Sequence, residues 1–125
     1  MKEIDTGFLQ RIADRINAEN RDYDRLLEQQ IAAAQSALPQ IVARMRELDP
    51  SIERIILFGS LASGSVRNTG FDIDLAVSGS GIFRLIAWSE DQELPIDLVD
   101  LDSLSPGFRN HIEETGRILY EKPQS

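Results

Sequence analysis

The sequence contains no cysteine, which excludes a disulfide framework and a thiolate nucleophile and is compatible with the cytosol. It also lacks any apolar run approaching the ~18–20 residues of a membrane span, and its start, MKEIDTGF, carries no apolar signal region. A soluble, cytoplasmic chain without a membrane partner is the expectation. Basic residues are scarce: 13 Lys and Arg stand against 21 Asp and Glu, a formal net charge of −8. That balance opposes attraction to nucleic-acid backbones or anionic lipid, so no direct nucleic-acid partner is expected and a basic partner suits the surface better. Histidine is nearly absent, and the single His111 lies where nothing beside it suggests a base or ligand set, which assigns it a surface or structural role. The 125 residues, 42% of them hydrophobic, fit one domain with one core.

What is present is organised around residues 55–77, IILFGSLASGSVRNTGFDIDLAV. A short β-branched and aromatic run, residues 55–58, reads as a buried strand that ends in Gly59-Ser60. A small-residue loop follows. A second strand, residues 72–77, carries Asp72 and Asp74, whose side chains two apart point to one face while Ile73, Leu75 and Val77 point to the other.

The first half of the chain reads as helix. Thr6 is a plausible N-cap, and Phe8, Leu9, Ile12 and Ile16 recur at amphipathic spacing in a segment expected to end near residues 17–20. From Arg21 a second pattern places Leu27, Ile31, Ala34, Leu38, Ile41, Met45 and Leu48 at four- and three-residue intervals, as in a coiled-coil seam. Pro39 removes a backbone bond and clashes with the preceding turn, so a kink or break near Ala37 and a fresh helix over 39–48 are expected. Residues 1–38 are therefore read as an N-terminal helical extension and 39–125 as the compact domain. The stripe has two explanations: packing on the domain's own core, or an interface for a second copy or a different protein.

After the Ser78-Gly79-Ser80-Gly81 turn, the pattern predicts a short helix over 82–91 and a strand over 96–101 opened by Pro95. A helix over 106–115 should stop at Gly116, and a last strand at 118–120 should precede a frayed EKPQS tail.

Gly59 at a strand end lets the backbone approach a ligand, and exposed amides there attract phosphate oxygens, with the Ser60 hydroxyl as a further donor. No lysine stands between Gly59 and Asp72, so this is not a Walker A loop; by itself the dipeptide is equally an ordinary turn. Two carboxylates on one strand face are costly unless a cation neutralises them, and Mg²⁺ is commonly held by one or two carboxylates with substrate phosphates. Solvation of both at a strand end is the alternative. A third carboxylate is offered by PIDLVDL, residues 95–101, where Asp97 and Asp100 fall on opposite faces of a regular strand; Asp97 lies deeper in the apolar run and is the chosen one.

Strand, Gly-Ser, small loop, Asp-x-Asp, helix, and a strand with a third aspartate, in this order, resemble the polymerase β-type nucleotidyltransferases. More narrowly, the chain resembles the minimal nucleotidyltransferase proteins that act as antitoxin partners of HEPN-domain toxins. The motifs are FGS ending at Ser60, DIDLAV from Asp72, PIDLVDL from Pro95 and GRILYE from Gly116. The resemblance implies an α/β (α+β) nucleotidyltransferase fold, a mixed β-sheet with helices mainly on one face, here preceded by the N-terminal helical arm. It further implies Asp72, Asp74 and Asp97 as catalytic and metal-binding residues for two Mg²⁺ ions, Asp97 as general base, and Gly59 and Ser60 at the phosphates of a nucleoside triphosphate, ATP. The implied reaction is AMP transfer to a hydroxyl, a tyrosine of a cognate HEPN toxin; the competing reading is an inactive antitoxin that neutralises its partner by complex formation. Three departures stand out. Residues 61–71 form a linker of eleven, one more than is usual; Ala62-Ser63-Gly64 replaces Ala-Arg-Gly; and Phe71 replaces the common serine. Arg67, in the same linker, is the candidate substitute for the missing arginine.

Overall fold

The computed structural model describes residues 5–79 and 81–124. The chain runs α1 (Thr6–Leu48), β1 (Arg54–Phe58), α2 (Gly59–Ser63), β2 (Ile73–Ser78), α3 (Ile82–Glu90) and β3 (Ile96–Asp100). A 3₁₀ turn (Leu101–Ser103), α4 (Pro106–Thr115) and β4 (Arg117–Glu121) complete it. Four strands form one mixed sheet in the order β3-β2-β1-β4, with β1 antiparallel to both β2 and β4 and β2 parallel to β3.

The first half corrects three sequence expectations. The cap of α1 is Asp5, not Thr6: its carboxylate accepts from the Gly7 N–H at 2.9 Å, satisfying one of the orphan donors of the first turn. The helix does not stop near residues 17–20, and Pro39 does not break it; α1 is one helix of 43 residues. Residues 8–38 contain neither glycine nor proline, so nothing ends the helix early. Pro39 lies on the exposed side and removes only the donor for the Gln35 carbonyl, a loss a long helix tolerates.

The sheet is buried from both sides because β1 alternates two apolar sets. Ile55 and Leu57 join Ile73, Leu75, Val77 and Leu98 beneath Ala34, Leu38, Ile41 and Met45 of α1 and Leu85 of α3, forming the larger core. On the opposite face, Ile56 and Ala76 meet Leu101 and Ile112 of α4 in a smaller one. Full burial of each such aliphatic side chain stabilises by roughly 1.5–3 kcal/mol, so helices mainly on one face, with α4 closing the other, give the layered arrangement expected of the fold. The early half of α1 has no such cover: Phe8, Leu9, Ile12, Ile16, Tyr23 and Leu26 are all exposed.

Smaller adjustments follow from hydrogen bonding. The small-residue segment after β1 is a one-turn helix, α2, closed by Gly64 in the left-handed region. The tail is tied further than expected, since the Lys122 N–H donates to the Glu53 carbonyl at 2.7 Å. Ser80 of the expected turn and Ser125 of the expected frayed tail lie outside the described residues. Arg109 and Arg54 hold Glu113 between α4 and β1, and these charge-assisted contacts lower the Glu113 pKa.

Candidate active site

β2 and β3 set the geometry. Their parallel register pairs Asp74 with Asp97 directly, and the same ladder pairs Leu75 with Leu98 and Ala76 with Val99. Neighbouring strands lie about 4.8 Å apart and paired residues share a face. Asp74 and Asp97 therefore project together from the face opposite the larger core, the side that carries Ile56 and Ala76. Asp72, immediately before β2, has the same parity. Asp100 pairs with Val77 on the other face, and its carboxylate is occupied with the following 3₁₀ turn, accepting from the Asp102 N–H at 3.1 Å and the Ser103 hydroxyl at 2.7 Å.

The three aspartates repel one another. Burial, then the charge of Asp97, then that of Asp72 push the Asp74 pKa from 3.8 up to about 6. Asp72 and Asp97 are exposed, while Asp74, between β1 and β3, is half-buried. Among the described residues no group of three or more His, Cys, Asp or Glu side chains is gathered closely enough to hold a metal ion. Asp72 and Asp97 still stand near enough to Asp74 for their charges to act on it, and both are open towards solvent. That donor set, hard oxygens with uncompensated negative charge, fits a divalent cation such as Mg²⁺ that keeps water and substrate oxygens in its shell.

Gly59 borders this cluster. Phe58 pairs across the ladder with Asp74, and Gly59 follows it at φ +74°; a Cβ there would overlap Asp74 Oδ2. Glycine is required both for the backbone conformation and for room beside the carboxylate. Ser60 and Arg67 line one open cavity of about 390 Å³ together with Ser65, Val66, Thr69 and Phe71; Gly59 and the three aspartates are not part of its lining. Ser63, at the position where arginine is usual, is engaged instead with the Ser65 hydroxyl at 2.6 Å.

Two residues escaped sequence reasoning. Tyr23, on the arm, accepts a hydrogen bond from the Thr69 N–H at 3.1 Å and so ties α1 to the cavity loop. No local signal links positions so far apart. Asp49 is buried at the end of α1, accepting from the Ser51 N–H at 3.0 Å; the Asp-x-Ser spacing carried that turn signal. His111 is exposed on α4, as assigned. No helix among the described residues is long and apolar enough to cross a membrane.

The sheet order and the carboxylate ladder define a nucleotidyltransferase-type domain, and comparison with known proteins agrees. Residues 40–125 match the family model described as polymerase beta, nucleotidyltransferase. The chain belongs to this family, as its motifs implied. No curated protein sequence shows a significant match. Among solved structures it is similar to a toxin–antitoxin crystallised with AMP-PNP, at 28% identity over 70% of this chain and 75% of that one, TM-score 0.57. A mutant of the toxin–antitoxin MntA-HpeT matches at 28% identity, covering 69% and 73%, TM-score 0.55. The toxin–antitoxin MntA-HepT matches at 25% identity, covering 70% and 73%, TM-score 0.52.

Proposed function

We propose that this chain is an Mg²⁺-dependent nucleotidyltransferase that moves AMP from ATP to a hydroxyl, a tyrosine of a cognate HEPN-domain toxin, and so acts as an antitoxin. The observation that carries the reading is Asp74 flanked by Asp97 and Asp72 beside the Gly59-Ser60 turn, a carboxylate cluster whose own repulsion calls for a cation. Similarity to toxin–antitoxin structures, one of them with AMP-PNP, supports the partner class and the nucleotide.

In this reading Asp72, Asp74 and Asp97 hold two Mg²⁺ ions. When bound, the ions supply positive charge to the triphosphate and to the leaving pyrophosphate. Gly59 lets the backbone approach the phosphates, Ser60 donates its hydroxyl, and Arg67 provides the fixed positive charge that Ser63 cannot. Asp97, on the exposed rim, accepts the proton of the acceptor hydroxyl as its oxygen bonds to the α-phosphorus. The bond from that phosphorus to the bridging oxygen breaks, and pyrophosphate departs.

Incubation with ATP labelled in its α-phosphate, Mg²⁺ and the HEPN-domain product of the adjacent gene tests this. Label on a partner tyrosine is expected. A second reading, neutralisation by binding alone, is favoured by the Ser63-Ser65 contact replacing a cationic side chain. A tight complex that forms without any transfer of label would select it.

A further inference from the structure

The matched family region begins at residue 40, so most of α1 (Thr6–Leu48) lies ahead of it, and its early half presents apolar side chains that the domain leaves uncovered. At 100° per residue, Phe8, Leu9, Ile12, Ile16, Tyr23 and Leu26 fall within an arc of about 100°, a stripe as wide as a core-facing one. Each is between 41% and 53% exposed. A helix depends mainly on packing of its apolar face rather than on propensity; on this face Tyr23 is held by the Thr69 N–H at its hydroxyl, while its ring and the other five side chains stay exposed.

We propose that the arm pairs with the arm of a second copy of this chain as an antiparallel two-helix coiled coil. Leu9, Ile16 and Tyr23 repeat every seven residues, as do Ile12, Glu19 and Leu26, which makes them the two seam positions of a heptad. Antiparallel helices pack one class of seam position against the other. The register that joins the most apolar residues sets Leu9 against Leu26, Ile12 against Tyr23 and Ile16 against Glu19, each twice by two-fold symmetry. In that same register Arg15 and Asp22, which flank the seam on one side, meet across the interface as opposite charges, again twice. A parallel pair also aligns the apolar seam residues, but it stacks Glu19 on Glu19 and gives Arg15 an asparagine, Asn20, as its cross-helix neighbour. Glu19 is already paired with Arg15 on its own helix at 3.6 Å, so each of the two Ile16–Glu19 layers at the centre of the antiparallel seam has a cation beside it.

Charge on the rest of the molecule points the same way. The chain carries −8 overall, and a parallel pair would set two acidic domains side by side. The antiparallel pair sends residue 40 of each copy to opposite ends, roughly 65 Å apart at 1.5 Å per residue, far beyond the ~8 Å screening length of physiological salt. A toxin helix on the same stripe is the competing occupant, and it has no reason to meet Arg15 and Asp22 in reciprocal fashion.

Sedimentation of the full chain alone, with charge reversals, tests the proposal. The wild type is expected to sediment as a dimer. Arg15→Asp or Asp22→Arg alone should weaken dimerisation by about tenfold, since two attractive pairs become two repulsive ones. The double reversal should restore it. A monomeric wild type, or reversals whose double variant fails to recover, overturns the proposal; circular dichroism confirms that each variant remains helical. Because the chain has no cysteine of its own, orientation is read independently. Leu9→Cys protein should cross-link to Leu26→Cys protein but not to itself, and self-linking of Leu9→Cys would contradict the antiparallel pair. Neither readout depends on nucleotide transfer, so the two proposals fail separately.

Discussion

Asp74 and Asp97 stand opposite each other in the parallel ladder between β2 and β3, and burial, then the charge of Asp97, raises the cost of ionising Asp74. This cost has a sign. The folded-state pKa of Asp74, about 6, lies above its ordinary 3.8, so the folded protein holds this proton more tightly than the unfolded chain. The associated stability is fully present below the ordinary value and is lost as pH rises through about 6.

Asp74→Asn removes that loss. Without divalent cations, the variant should match the wild type near pH 4 and exceed it at pH 7, by on the order of 1 kcal/mol once the partial exposure of the site is discounted. Chemical denaturation at the two pH values measures the difference. Adding Mg²⁺ should narrow it by stabilising only the wild type; a pH-independent difference would remove the repulsion from the account.

Gly59→Ala should damage the same spot from the backbone side. The substitution places a methyl group on Asp74 Oδ2 in a left-handed conformation, costing about 1–2 kcal/mol. ATP binding, followed by calorimetry, should fall more steeply than stability does because the carboxylate is displaced. Gly116→Ala provides the contrast. Its methyl would sit 2.6 Å from both the Ile112 carbonyl oxygen and Ile56 Cγ2, in the smaller core, so it should lower thermal stability with no specific effect on nucleotide.

Pro39→Ala should stabilise the protein. Alanine returns the missing donor to the Gln35 carbonyl and relieves the clash inside α1, for a gain of about 1–3 kcal/mol by thermal denaturation. A loss would mean that proline's fixed backbone geometry is needed for α1 to lie on the sheet.

Ser60→Ala and Arg67→Ala test the cavity that these two residues share. Each should weaken ATP binding several-fold, with Arg67→Ala the stronger because it removes a charge. Melting temperatures should barely change, since Arg67 is exposed and contributes no core packing.

The parts of the fold written in short-range alternation were legible in the sequence. The shared face of Asp74 and Asp97, the strand at 55–58 and the α4 start at Pro106 all follow from two-residue or one-turn rules, and the structure places them accordingly, whereas Asp72, expected to open the second strand, falls just ahead of β2. The single helix through Pro39 is not legible locally, because proline's penalty is a local signal while the core contacts of Ala34, Leu38, Ile41 and Met45 that hold α1 on both sides of it are tertiary. The tie between Tyr23 and Thr69 joins residues distant in the chain, and no pattern within either segment announces it. The one-turn helix at Gly59–Ser63 is too short to leave a periodic signal.

The most direct test of the catalytic account is Asp97→Asn, compared with wild type in single-turnover transfer of labelled AMP to the partner, with ATP and partner affinities measured on the same samples. The account predicts that the partner still binds while transfer slows by about 10²-fold or more, the usual weight of a general base, and that any loss of ATP affinity from the weakened cation site is smaller than the loss of rate. Transfer at the wild-type rate by Asp97→Asn would contradict it.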